Sequence, residues 1–189
     1  MDDQRVTDLD GAGLAGRGDY LMRFAYADPP YLGMCAAYRH EHGEGGCWND
    51  PETHRKLIER LETYDGWALS MHLPSLRTIL PMLPENARLM AWCKTFGTMF
   101  PGVHPQYAWE PVAIRLSDRK RLKGEISARD WVATFPVLGF FGAKPPTFTA
   151  WVLDCLNVQD GDTFDDLFYG SGAVSEAYES WRNQRRLFA

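Results

Sequence analysis

Two short stretches of this 189-residue chain hold residue types whose spacing could do chemistry. The first is Asp28-Pro29-Pro30-Tyr31, which directly follows the apolar run LMRFAYA at 21–27. The two prolines fix φ and remove two N–H donors, so their carbonyls stand as acceptors in a rigid frame beside a carboxylate. Such a frame is built to accept hydrogen bonds from an amino group. Asp-Pro-Pro-Tyr is equally reasonable as a bare turn, and these four residues alone leave both readings open. The second stretch, DLFYGSG, runs from Asp166 to Gly172 and leads into an amphipathic segment. Glycines let a backbone approach a ligand closely, and a helix N-terminus offers unpaired N–H groups, which together suit a nucleotide-like ligand. Gly-x-Gly also occurs in αβ connections simply to make the turn.

The elements that must position these stretches follow from patterning. Residues 21–27 predict a buried strand ending at Asp28. Asp50 followed by Pro51 announces a helix over 51–64, with Leu57, Ile58 and Leu61 on one face. Residues 66–71 predict a strand, 74–83 a short helix opened by Pro74 and interrupted at Pro81, and 87–93 a further strand. The run 107–116 is strand-like but contains Pro111, which points to an edge or a bulge. Residues 147–157 carry Phe148, Trp151, Val152, Cys155 and Leu156 at helical spacing, with Thr147 as a cap. A strand and turn over 162–170 precede a helical face of Val174, Ala177, Tyr178 and Trp181. Strands alternating with helices predict an α/β fold, a mostly parallel sheet with helices on both faces, in a single domain spanning 1–189.

Composition narrows the class. The chain is 45% hydrophobic and 24% charged, as in an ordinary globular protein. No apolar run approaches the roughly 18–20 residues that span a bilayer, and the acidic, Gly-rich start has no apolar core, so no membrane partner and a cytoplasmic location are expected. Cys35, Cys47, Cys93 and Cys155 form no CxxC pair and read as reduced thiols. Cys35, His40, His42 and Cys47 lie close in sequence, but their spacing matches no standard zinc pattern; a polar loop and no metal are expected. The net charge of −5 argues against holding nucleic acid by bulk electrostatics. The local exception is RLSDRKRLK at 115–123, either a solvated loop or a phosphate-contacting patch. His72 and Glu110 fall at strand edges that could face a site, although a structural role is expected for each. The run WVATFPVLGFF at 131–141 reads as core or pocket wall.

Taken together, Asp28-Pro29-Pro30-Tyr31 after a strand and Asp166 to Gly172 opening a helix resemble the two signature motifs of S-adenosylmethionine-dependent DNA amino-methyltransferases of the N6-adenine type. Lys144-Pro145, in GAKPPTF shortly before the second motif, resembles a third. The order, catalytic motif before cofactor motif, is that of the permuted beta group. The resemblance spans roughly residues 20–182 and implies a Rossmann-like methyltransferase fold. It implies a catalytic turn of Asp28, Pro29, Pro30 and Tyr31, in which Asp28 and the Pro29 carbonyl accept the two amino N–H groups and Tyr31 stacks on a target base taken out of the duplex. It also implies S-adenosyl-L-methionine held by Asp166, Phe168, Gly170, Ser171 and Gly172, with Lys144 and Pro145 nearby. After Glu179 the sequence carries no further acid for the ribose hydroxyls, a contact that the Gly-rich N-terminal segment could supply. The implied partner is DNA, contacted by residues among 33–50, 94–106 and 115–130; a homodimer or a partner would add sequence specificity. The acidic net charge keeps RNA or a free nucleotide open as substrate, and an inactive methyltransferase-fold binding module is the non-enzymatic alternative.

Overall fold

A computed structural model of the chain describes residues 21–34, 47–95, 99, 101–121, 127–135 and 142–186. Six strands form one sheet: β1 (Arg23–Ala27), β2 (Gly66–Ser70), β3 (Arg88–Lys94), β4 (Trp109–Arg115), β5 (Trp131–Thr134) and β6 (Thr163–Asp166), in the order β5-β3-β4-β2-β1-β6. β1 pairs in parallel with β2 and β6, and β3 in parallel with β5, whereas β4 runs antiparallel to both β2 and β3. Five strands therefore point one way and β4 alone is reversed. This is the mostly parallel α/β sheet that the alternating pattern predicts.

Side-chain alternation along the strands feeds two cores. Phe24 and Tyr26 face one side, where they pack with Trp92, Ile114 and helices α3 (Pro146–Leu156) and α4 (Ala173–Arg186). Ala25 and Ala27 face the other, against Leu57, Ile58 and Leu61 of helix α1 (Pro51–Leu61) and Ile79 of the short helix α2 (Leu76–Ile79). Helix α1 starts where Asp50-Pro51 predicts: Asp50 is extended and its carboxylate accepts from the Glu52 N–H at 3.0 Å. Helix α2 is flanked by 3-10 turns at Leu73–Ser75 and Leu80–Met82, the latter containing Pro81. Helix α3 is capped by Pro145 rather than Thr147, because Pro146 takes the first helical position where no N–H is required.

Two local features differ from the sequence expectation. β4 is central, not an edge, yet Pro111 fits because the β2 ladder ends at the Ser70–Val112 pair, beside which the Pro111 carbonyl accepts from the Met71 N–H. The missing proline donor faces β2 and costs only the return bond to Met71 at the end of that ladder, while the β3 ladder is untouched. Residues 131–134 form edge strand β5, with Trp131 45% exposed rather than in the core; Trp92 ties the strand down by donating from its indole to Thr134 at 2.6 Å. Residues 136–141 of the same aromatic run, like Cys35, His40 and His42, lie outside the described residues, as does the side chain of Cys47.

Three arginines at and just after the end of β4 are committed to the fold. Arg115 donates to the Tyr64 and Asp65 carbonyls, Arg121 to the Asp154 carbonyl, and Arg119 to both carboxylate oxygens of Asp162. Asp162 is almost fully buried and also accepts from the Met22 and Gln159 N–H groups. Burial alone would raise its pKa, but the Arg119 hydrogen bond and the two backbone donors outweigh that and hold it below the usual range. A depressed folded pKa stabilises above the unfolded value of about 3.9 and loses that contribution as pH falls through the folded value. Asp162→Ala should therefore cost about 3–5 kcal/mol at pH 7. The loss should shrink in urea titrations below about pH 4. No helix among the described residues is long and apolar enough to cross a membrane.

Candidate active site

The carboxyl ends of β1 and β6 lie side by side, with Tyr26 paired to Asp166 and the Leu167 N–H donating to the Tyr26 carbonyl at 2.9 Å. From β1 the chain proceeds through α1 on one face of the sheet; β6 is preceded by α3 and followed by α4 on the other. Connections that diverge to opposite faces leave a crevice between adjacent strand ends, the usual ligand position in such sheets. Asp28-Pro29-Pro30-Tyr31 and the glycine turn border this crevice from its two sides.

The glycine turn is shaped by backbone requirements. Gly170 (φ 47°) and Gly172 (φ 79°) occupy the left-handed region, and a Cβ on Gly172 would meet the Tyr169 hydroxyl at 2.8 Å. The Gly172 N–H donates to the Tyr169 carbonyl, and the Glu176 N–H to the Gly172 carbonyl, which closes the first turn of α4. Helix geometry leaves the earlier N–H groups of that turn without intrahelical partners. Asp166 anchors the turn by accepting from the Phe168 N–H at 3.3 Å and the Ser175 hydroxyl at 3.1 Å. Burial, assisted by the neighbouring Asp28 charge, pushes the Asp166 carboxyl up to about 6. Phe168 packs edge-on against Trp48 with ring centroids 5.1 Å apart, and Ser171 is exposed.

On the other side stands a compact charged network. The Lys144 ammonium, 3% exposed, donates to Asp28 Oδ2 at 2.6 Å and lies 3.9 Å from Glu110 Oε2. The Tyr31 hydroxyl is 3.0 Å from both Asp28 Oδ1 and Glu110 Oε2. It carries one proton, so it bridges the two carboxylates but fully satisfies only one at a time. Lys94 pairs with the far oxygen of Glu110, and both lysines lie about one ring-width from Trp92, at 5.0 and 5.3 Å from the ring centroid. Two ammonium groups thus balance two carboxylates in a largely water-free setting. Burial is the main influence on Asp28 and raises its pKa against the pull of Lys144. Burial opposes the charge on Lys144, but Asp28 and Glu110 outweigh it and its pKa is raised. For Glu110 burial is outweighed by Lys144 and Lys94, and its carboxyl is lowered.

Two features of this network lie beyond the sequence expectation. Lys144, expected near the cofactor motif, reaches Asp28: the turn at Gly142 and the start of α3 at Pro145 aim it into the crevice. Glu110, at a strand edge that could face a site but with a structural role expected, enters it through the reversal of β4, which brings the amino end of that strand to the edge where the parallel strands finish, and Lys94, at the start of a stretch expected to contact substrate, meets it there from the carboxyl end of β3. Tyr31 is 7% exposed, and the His72 ring lies parallel to it, 7° between planes and 5.6 Å between centroids.

No family model matches the sequence, and no curated protein matches it either. Among solved structures, the crystal structure of an M1.HpyAVI-SAM complex is similar with a TM-score of 0.49 and 16% sequence identity, over 87% of this chain and 80% of that one.

Proposed function

We propose that this chain is an S-adenosylmethionine-dependent methyltransferase acting on the exocyclic N6 amino group of adenine in DNA. One observation carries the proposal: the Asp28 carboxylate and the glycine turn at Gly170–Gly172 flank one crevice at the carboxyl ends of adjacent parallel strands. The turn suits the cofactor, since it presents two glycines and open N–H groups beside the carboxylate of Asp166. Gly170, Ser171, Gly172, Asp166 and Phe168 would hold the cofactor, with Lys144 and Pro145 at the border towards Asp28. The cofactor, when bound, supplies a methyl group on a positively charged sulfur.

The remaining work falls to the catalytic turn. An adenine amino nitrogen is a poor nucleophile because its lone pair is delocalised into the ring. Asp28 and the Pro29 carbonyl would accept its two N–H groups, localise the lone pair and orient it for in-line attack. Pro30 stiffens that frame, and Tyr31 holds the carboxylate through its hydroxyl. Lys144 opposes the rise that burial causes in the Asp28 pKa and so favours the carboxylate form, which accepts hydrogen bonds and stabilises positive charge on nitrogen.

RNA or a free nucleotide is the second reading. The free nucleotide is favoured over a nucleic-acid strand by the commitment of Arg115, Arg119 and Arg121 to intramolecular partners, which removes them as contacts to a run of phosphates. Calorimetry tests the cofactor half. S-adenosylmethionine should give a saturable heat, and Gly172→Ala should weaken binding at least about tenfold, because alanine strains the left-handed position. No heat at millimolar ligand would point instead to an inactive scaffold.

A further inference from the structure

Tyr31 is nearly enclosed: its hydroxyl engages Asp28 and Glu110, the Lys144 ammonium lies 5.8 Å from its ring centroid, and His72 lies parallel to its ring. A base could reach that covered face only by displacing His72. The half-buried His72 is held in place, because the Ser75 hydroxyl donates to the His72 carbonyl at 2.8 Å and its oxygen lies 3.3 Å from Nδ1. With the serine proton directed to the carbonyl, Nδ1 carries the imidazole proton and Nε2 is left as an acceptor. Burial lowers the His72 pKa, which keeps the ring neutral and suited to stacking on a nucleobase.

A cavity of about 550 Å³ begins at Leu73, one residue beyond His72, and is walled by Val103, Tyr107 and Trp109. That volume lies in the usual range for small-molecule sites. We propose that His72 is a substrate-binding residue: its ring, backed by Tyr31, forms the platform on which the purine of the substrate stacks, while the cavity at Leu73 and Trp109 receives the attached nucleotide. This rests on the proposed methyltransferase reading and adds to it the residue that meets the base.

The test uses the full chain with saturating S-adenosylmethionine and a short single-stranded DNA in which 2-aminopurine replaces adenine, since stacking quenches its fluorescence. His72→Ala should weaken binding by about 5- to 150-fold and abolish the quenching. His72→Phe should retain both, and His72→Leu, which fills the space without an aromatic face, should behave like the alanine variant. Cofactor heats and thermal midpoints should stay unchanged across the set. Unchanged DNA binding in His72→Ala, with cofactor binding intact, overturns the platform and leaves the methyltransferase reading standing. Tighter DNA binding in that variant also overturns it, by showing that the ring occupies the place of the base. Loss of cofactor binding by the native chain would remove both.

Discussion

Replacing Asp28 by asparagine is expected to slow methyl transfer by about 10²–10³-fold at saturating cofactor, the range found when one preorganised electrostatic partner of a reacting group is removed. The amide keeps the size of the side chain but has only one acceptor oxygen, and its NH₂ group opposes the amino hydrogens it should accept. The effect should fall on kcat rather than on cofactor affinity, because the glycine turn and Asp166 come from a different strand. The fold should survive, since Lys144 keeps Glu110 at 3.9 Å as a second carboxylate. Single-turnover rates, measured with calorimetry and thermal midpoints on the same preparation, separate a chemical defect from a structural one.

Removing the cation instead should damage the fold. Lys144→Met leaves Asp28 and Glu110 linked through one tyrosine hydroxyl, with Lys94 alone to offset them. Breaking a buried pair by deleting one partner costs about 3–5 kcal/mol. For a chain of this size that lowers the thermal midpoint by about 6–20 °C. The pH dependence has a definite sign. Without Lys144 the Asp28 carboxyl is pushed further up, and a group whose folded pKa lies above its unfolded value destabilises at pH values above the folded pKa. The deficit relative to the native chain should therefore narrow as pH falls through the raised Asp28 pKa of the variant. Combining Lys144→Met with Asp28→Asn removes both charges, and the double variant should be more stable than Lys144→Met alone.

Much of the scaffold was legible in the sequence because its signals are local. Asp50-Pro51 marks the start of α1, helical spacing marks α3 and α4, and buried runs mark β1, β2 and β3. The two loops of the site were legible for the same reason, each being a contiguous motif at a strand end. That Glu110 and Lys94 join one network was not, because Glu110 is carried there by the direction of β4 and meets the end of β3 through its pairing with Trp92, and neither is encoded by spacing within the strand. The one usable signal was Glu110 itself, an acid directly before a proline in an otherwise apolar strand. The four-residue β5 was missed because WVAT is too short to show a period, and its aromatic residue suggested a core that the edge position does not provide. The basic run at 115–123 read as a solvated loop or a phosphate-contacting patch because sequence counts charges without their partners; Asp162 and the Asp154 carbonyl lie 43 and 33 residues from the arginines they accept from. Tyr31 was legible as part of the motif, whereas its enclosure by His72 depends on the neighbouring strand β2.

The central claim is most directly tested by incubating the chain with methyl-labelled S-adenosylmethionine and DNA, then digesting the product to nucleosides. The account predicts label in N6-methyldeoxyadenosine with the native chain and its near-complete loss with Asp28→Asn. Equal transfer to DNA by Asp28→Ala and the native chain would contradict it.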